Sequence, residues 1–232
     1  MADAEFDRYA ADYRKLHADN IALTGEEPEY FADYKMRDFA ALVRQRGLSA
    51  QGSYLDFGCG TGASVVPFKR HLPQAMLVGA DVSQESLRHA RDQHGVMAEF
   101  RSIDSGALSL PSAQFDGAFA NCVFHHIPAE DHAQALSELH RVCRDGGMLM
   151  IYEHNPLNPL TVRAVNTCPL DENAVLIRAG TMVKRVRAAG WADVRVAYRV
   201  FFPAALKRFR PTESALRWLP LGAQYCLTAR RT

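Results

Sequence analysis

The chain has 232 residues, 48% of them hydrophobic and 23% charged, with 27 Lys+Arg against 26 Asp+Glu. That length suits one generous domain, and the composition argues against a disordered or fibrous chain and against a polyanionic partner chosen by overall charge. No apolar stretch reaches the roughly 20 residues of a membrane span. The charged start lacks the apolar block of a secretory signal. The five cysteines (Cys59, Cys122, Cys143, Cys168, Cys226) form no CxxC pair, as suits reduced thiols in a cytoplasm.

Residues 3–18 place Phe6, Ala10, Tyr13 and His17 on one helical face. A second helix is predicted from Glu29 to Arg46, stopped by Gly47. From Ser53 short apolar runs alternate with helical stretches. Strands are expected at Tyr54–Phe57, Ala75–Ala80, Val96–Phe100, Phe115–Asn121 and Met148–Tyr152. The intervening helices are a stretch reaching His71, then Ser83–His94 and Glu130–Cys143. This βα alternation implies a parallel sheet covered by helices on both faces. A helix at Thr181–Ala189 and two alternating runs, Val194–Phe202 and Ala223–Ala229, suggest an antiparallel pair at the sheet edge. No internal repeat interrupts the pattern. One domain over residues 1–232 is expected, with a helical cap over 1–50 and inserts near 153–175 and 203–222.

Charge is uneven along the chain. Residues 178–232 hold 12 Lys+Arg and 2 Asp+Glu, a net +10, leaving −9 for the rest. Solvated faces are one reading; attraction of an anionic substrate, nucleic acid or membrane surface is the other.

The most informative segment is Leu55-Asp56-Phe57-Gly58-Cys59-Gly60-Thr61-Gly62, a strand running into three alternating glycines and then a helix. Glycine tolerates positive φ and lets a ligand lie on bare backbone, and a helix N-terminus favours an anionic group. An acid about 20 residues on, Asp81, suits two ribose hydroxyls. On this feature alone a dinucleotide and any other adenosine cofactor remain equally open.

The remainder of the chain resembles the class I S-adenosylmethionine-dependent methyltransferases, whose first motif is hydrophobic-Asp-x-Gly-x-Gly-x-Gly. Further matches follow in order: Asp104-Ser105 after the third strand, Gln114–Phe119 as the fourth strand, Asn121–Pro128 as the loop after it, and Leu139–Gly147 as the helix-turn before strand five. The resemblance implies a Rossmann-like α/β fold: a seven-stranded, mostly parallel sheet with an antiparallel last strand, helices on both faces and an N-terminal helical lid. It implies S-adenosylmethionine as cofactor and methyl transfer to a small or medium-sized acceptor at oxygen or nitrogen. By this likeness Asp56, Gly58, Cys59, Gly60 and Gly62 receive the methionine part. Asp81, with Val82 beside it, binds the ribose side, Asp104 and Ser105 meet the adenine, and Asn121 and Val123 complete the cofactor contacts.

Ligands of α/β sheets lie beyond the carboxyl ends of the strands. That makes His125, His126, Glu153 and His154 the candidate catalytic residues, with histidine suited to base work near neutrality. Each has a plainer reading: a packed histidine, or for Glu153 and His154 a cap on the Asn155-Pro156 turn. Tyr9, Tyr13, Tyr34 and Lys35 are either a packed face or a lid, with Tyr13 near the sulfonium and Lys35 paired to the cofactor carboxylate. The remaining histidines show no metal-ligand spacing, so no metal site is expected. The segment from Phe201 to Leu219, apolar residues interleaved with Lys207, Arg208, Arg210 and Arg217, is an apolar pocket wall, a membrane-surface segment or a cover for the sheet edge. No base-modifying Asn/Asp-Pro-Pro-Tyr motif is present, so nucleic acid is not the expected partner.

Overall fold

The computed structural model describes residues 13–104 and 106–232. Phe6, Tyr9, Ala10 and Ser105 lie outside the described residues, as does the side chain of Tyr13. The chain begins with α1 (Tyr13–Ile21) and α2 (Pro28–Gln45). Pro28 opens α2 at a position where its missing N–H costs nothing. Then come β1 (Ser53–Phe57), α3 (Val65–His71), β2 (Met76–Asp81), α4 (Gln84–His94), β3 (Glu99–Asp104) and β4 (Ala107–Leu108). The second half holds β5 (Phe115–Asn121), α5 (His132–Val142), β6 (Cys143–His154), α6 (Pro159–Thr167), α7 (Ala179–Ala188), β7 (Ala192–Arg199), α8 (Glu213–Leu216) and β8 (Gln224–Arg230).

The strands form one sheet in the order β4-β3-β2-β1-β5-β6-β8-β7. Strands β3, β2, β1, β5 and β6 pair in parallel, and β8 runs antiparallel between β6 and β7. This is the expected Rossmann-like sheet with one addition: the two-residue β4, antiparallel to β3, too short to leave a period in the sequence. Val96, expected to open the third strand, is 98% exposed in the preceding turn. The strand expected to reach Phe202 stops at Arg199, because Val200 turns to φ +60°. The insert after β6 is not a plain loop. Asn158 caps α6 by accepting from the Leu160 and Thr161 N–H groups.

Alternation on each strand feeds two cores. On one face Phe39 of α2 meets Tyr54, Phe68 and Phe119, with a ring separation of 4.7 Å to Phe119. On the other, Leu55, Ala118 and Ile151 pack under Leu136, Leu139, Met182 and Val186 of α5 and α7. The register places Phe57, Asp81, Asn121, His154 and Arg199 at one edge of the sheet. Because β8 is reversed, its first residue, Gln224, pairs with His154 and Arg199 at that same edge. Six strands thus end at a common edge, or mouth. Among the described residues, no helix is long and apolar enough to cross a membrane.

Candidate active site

The first half of the mouth is made of backbone. Gly58, Gly60 and Gly62 all have positive φ. A Cβ on Gly58 would lie 2.5 Å from Val123, so that glycine allows the β5–α5 loop to close over β1. Gly60, at φ +51°, has nothing within 4 Å of a Cβ position and faces open space. Asp81 holds the loop: its Oδ2 accepts from the Gly60 N–H at 2.7 Å and its Oδ1 from the Ser83 N–H at 2.9 Å. A carboxylate has about four acceptor positions, and these two bonds use two of them. Cys59 is buried and packs against Gly79, where a Cβ would lie 2.8 Å from its Sγ.

Asp56 lies beneath this loop, 1% exposed. Its Oδ2 is buried without a partner among the described residues, as is the Oδ1 of Asn121. Asn121 Nδ2 donates to Ser64 Oγ at 3.2 Å, and Ser64 in turn bonds Asp56. Burial, opposed by the Ser64 bond, pushes the Asp56 carboxyl up to about 8. A buried acceptor without a donor costs about 1–3 kcal/mol, and a ligand ammonium would relieve it. The bare Gly60 face and the orphaned Asp56 oxygen fit the amino-acid end of S-adenosylmethionine, with Asp81 fitting its ribose. Val82 is 53% exposed beside Asp81. Asp104 closes β3 with its Oδ2 accepting from Ser102 at 3.3 Å.

The second half of the mouth is dense with titratable groups. Glu153, fully buried, accepts from the Val123 and Phe124 N–H groups through Oε1 at 3.0 and 2.8 Å. Its Oε2 lies 2.6 Å from His125 Nδ1. Burial works against a charged His125, but the Glu153 and Asp171 carboxylates outweigh it and raise the imidazole to about 10. Glu153 is therefore spent on the turn after β5 and on His125, and it stands neither free before an acceptor nor as a cap on Asn155-Pro156. Asn155 caps that turn itself, accepting from the Leu157 N–H. Burial and the neighbouring His125 hold His126 down at about 4, and its Nε2 lies 3.4 Å from Asp171 Oδ1.

Lys35, expected on a packed face or a lid, lies on α2. Only 9% exposed, its Nζ lies 3.2 Å from the Sγ of Cys122, a residue held at φ +60°. Gln224 Nε2 also approaches that sulfur, at 3.4 Å, and His154 hydrogen-bonds it. Burial would raise the Cys122 thiol, but Lys35 and His154 bring it down to about 7. Tyr34 turns away from the mouth and donates to Glu213 at 3.2 Å. Cys122, Asp171 and Gln224 are not among the site residues expected from sequence. Cys122 carried a signal, being next to Asn121 at a strand exit; Asp171 and Gln224 reach the mouth only through the reversed β8 and the turn after α6.

Residues 55–147 match a family described as a methyltransferase domain. The chain is 38% identical over 130 residues to a trans-aconitate 2-methyltransferase of Azoarcus sp. (strain BH72), covering 55% of this chain and 50% of that one. It is 34% identical over 123 residues to a phosphatidylethanolamine N-methyltransferase of Cereibacter sphaeroides, covering 51% and 56%. The chain thus spans about half the length of the curated relatives it matches. Its fold superposes with a TM-score of 0.67 on a S-adenosylmethionine-dependent methyltransferase, possibly a histamine N-methyltransferase, of Thermotoga maritima, at 18% identity and 98% coverage of both chains. Residues 55–147 thus match a methyltransferase domain, and with the glycine motif and the strand order the chain is similar to the class I S-adenosylmethionine-dependent methyltransferases.

Proposed function

We propose that this protein is an enzyme that transfers the methyl group of S-adenosylmethionine to a small or medium-sized acceptor at oxygen or nitrogen, residues 1–232 acting as one catalytic unit. The observation that carries this reading is the pairing of an open glycine face at Gly60 with the partnerless Oδ2 of buried Asp56. When bound, the cofactor supplies a methyl group on an already activated sulfonium, so the protein's task is placement and exclusion of water. Gly58, Gly60 and Gly62 hold the amino-acid tail through backbone, Asp56 takes its ammonium, and Asp81 takes the ribose hydroxyls. Val82 and Asp104 border the base, and Asn121 and Val123 wall the cleft where β5 ends. Lys35 acts on Cys122 and not on the cofactor carboxylate.

Of the four catalytic candidates, His154 is our choice for the base. Glu153 and His125 are committed to each other and to the turn, and they act by positioning. His126 faces Asp171. His154 closes β6 beside Cys122, where an acceptor approaching the β5 exit would present its proton. Labelled S-adenosylmethionine incubated with the protein and a metabolite extract tests the reading. Label should appear in a small molecule and fall sharply with His154→Gln. Label absent with wild type, or unaffected by the substitution, removes the activity or the base respectively.

A second reading, a lipid-like acceptor taken at a membrane surface, is favoured by one patch. Leu160 (76% exposed), Trp218 (75%) and Leu221 (57%) project near Arg163 and Arg217, and Asn158 Nδ2 donates to the Leu221 carbonyl to hold the two segments together. Retention on anionic vesicles that survives a Trp218→Ser change would remove this patch from consideration.

A further inference from the structure

The metal-free expectation from sequence meets a convergence that sequence could not show: His125, His126 and Asp171 each offer one donor atom within 4.8 Å of the others. Asp171 reaches the histidine pair from the 3₁₀ turn Pro169–Asp171 that follows α6, more than forty residues on in the chain. His125 Nε2 lies 3.5 Å and His126 Nε2 3.4 Å from the same Asp171 Oδ1. Those separations are long for an N–H···O bond, although Asp171 does hydrogen-bond His125 weakly. They match the spacing of about 3.3–3.4 Å between neighbouring donors that each sit some 2.0–2.1 Å from one tetrahedral ion.

The surroundings of His125 are those of a metal ligand. Histidines that bind a metal give their other ring N–H to a carboxylate or carbonyl, which fixes the tautomer and aims the free lone pair. His125 does this: Nδ1 meets Glu153 Oε2 at 2.6 Å, and Glu153 is itself locked by two backbone N–H groups. Nε2 is thereby turned toward Asp171, and an ion bound there would displace its proton. All three side chains are at most 15% exposed, unlike a chance acidic cluster on the surface. The His154 ring lies 5.1 Å from His125. The two histidines also border a cavity of about 450 Å³ reaching to Asn173, Arg178 and Thr181, so a coordination position can open toward a bound molecule.

We infer that His125, His126 and Asp171 form a binding site for one divalent transition-metal ion of the zinc class, supported by Glu153 and able to take an oxygen ligand of the acceptor. Two imidazoles and one carboxylate favour zinc, cobalt, nickel or iron over magnesium and calcium, which take oxygen ligands. The metal site stands on geometry alone. Its role for the acceptor rests on the proposed methyl transfer, and it narrows the substrate class to molecules with a carboxylate, enolate or hydroxyl beside the methylated atom.

The test is a titration of the chelator-treated full chain with Zn²⁺, Co²⁺ and Mg²⁺, with S-adenosylhomocysteine binding measured separately on the same samples. One equivalent of Zn²⁺ should bind and raise the melting temperature. Co²⁺ should give the visible absorption of a nitrogen/oxygen site, and Mg²⁺ should not compete. Asp171→Asn and His126→Gln, changes at the rim of the core, should abolish the Co²⁺ band while leaving S-adenosylhomocysteine binding intact. Glu153→Gln should weaken metal binding by about 10–100-fold. No stoichiometric Zn²⁺ on wild type, a Co²⁺ band unchanged in both rim variants, or equal binding of Mg²⁺ overturns the site. Loss of S-adenosylhomocysteine binding on wild type would instead overturn the methyltransferase reading and leave the metal result standing.

Discussion

The two halves of the mouth are built by opposite means. At the exits of β1 and β2 the chain offers backbone: three positive-φ glycines, an open face at Gly60 and two carboxylates, Asp56 and Asp81. At the exits of β5 and β6 it offers side chains, with Cys122, His125, His126, Glu153 and His154 joined by Lys35, Asp171 and Gln224 from other segments. On the proposed reading the first half is a handle whose requirements are met by a short contiguous motif. The second carries the individual chemistry and is assembled from parts far apart in sequence, which is where relatives sharing a handle can differ.

The comparison is broken most severely at Glu153. Glu153→Ala leaves the Val123 and Phe124 N–H groups and the buried His125 without their acceptor, and should cost about 3–5 kcal/mol, the cost of stranding one member of a buried ion pair. Thermal or denaturant unfolding measures it. A loss below a third of that would mean the second half does not depend on this carboxylate. On the handle side, Asp81→Ala should reduce S-adenosylhomocysteine affinity by about 1–3 kcal/mol, since it removes the ribose acceptor and frees the Gly60 N–H. Calorimetry reads this directly, and an unchanged affinity would detach Asp81 from the ribose.

A pH experiment sharpens the difference. The Asp56 carboxyl sits at about 8 because burial disfavours its charge. Its folded value is above the unfolded one, so its contribution is full below the usual carboxylate range and is lost as pH rises through 8. The melting temperature of the ligand-free protein should therefore sag toward pH 8 more than that of Asp56→Asn. Binding of a ligand ammonium beside it should release protons near neutrality, giving a buffer-dependent enthalpy that the variant lacks. The smallest effect is expected at Cys122. Lys35→Met removes the ammonium that brings the thiol down to about 7, and alkylation at pH 7 should slow by about tenfold as the thiolate fraction falls. Equal rates would mean Lys35 has no hold on the sulfur.

Most of the scaffold and the whole handle are legible in the chain. The run from Leu55 to Gly62, the acid at Asp81 and the alternating helices and strands announce themselves because each depends on neighbours in sequence. The partners of the histidines are not legible in the same way. Asp171 follows a capped helix that reads as an insert, Gln224 reaches the mouth because β8 runs backward, and Lys35 meets Cys122 across 87 positions. Glu153 reads as an exposed candidate base because it ends a strand, yet its burial follows from backbone amides of another loop. Local patterns fix elements; only the register fixes which side chains share a mouth.

The central claim is that the Gly58–Gly62 backbone and Asp56 cradle the amino-acid end of a sulfonium nucleoside. Calorimetric titration of S-adenosylhomocysteine into wild type and Gly60→Val tests it most directly, because a side chain there fills open space facing the cradle and adds only about 1–2 kcal/mol of left-handed backbone strain to the fold. One site on wild type and none on a folded Gly60→Val is the expected result. Equal binding to both, or none to wild type, would contradict it.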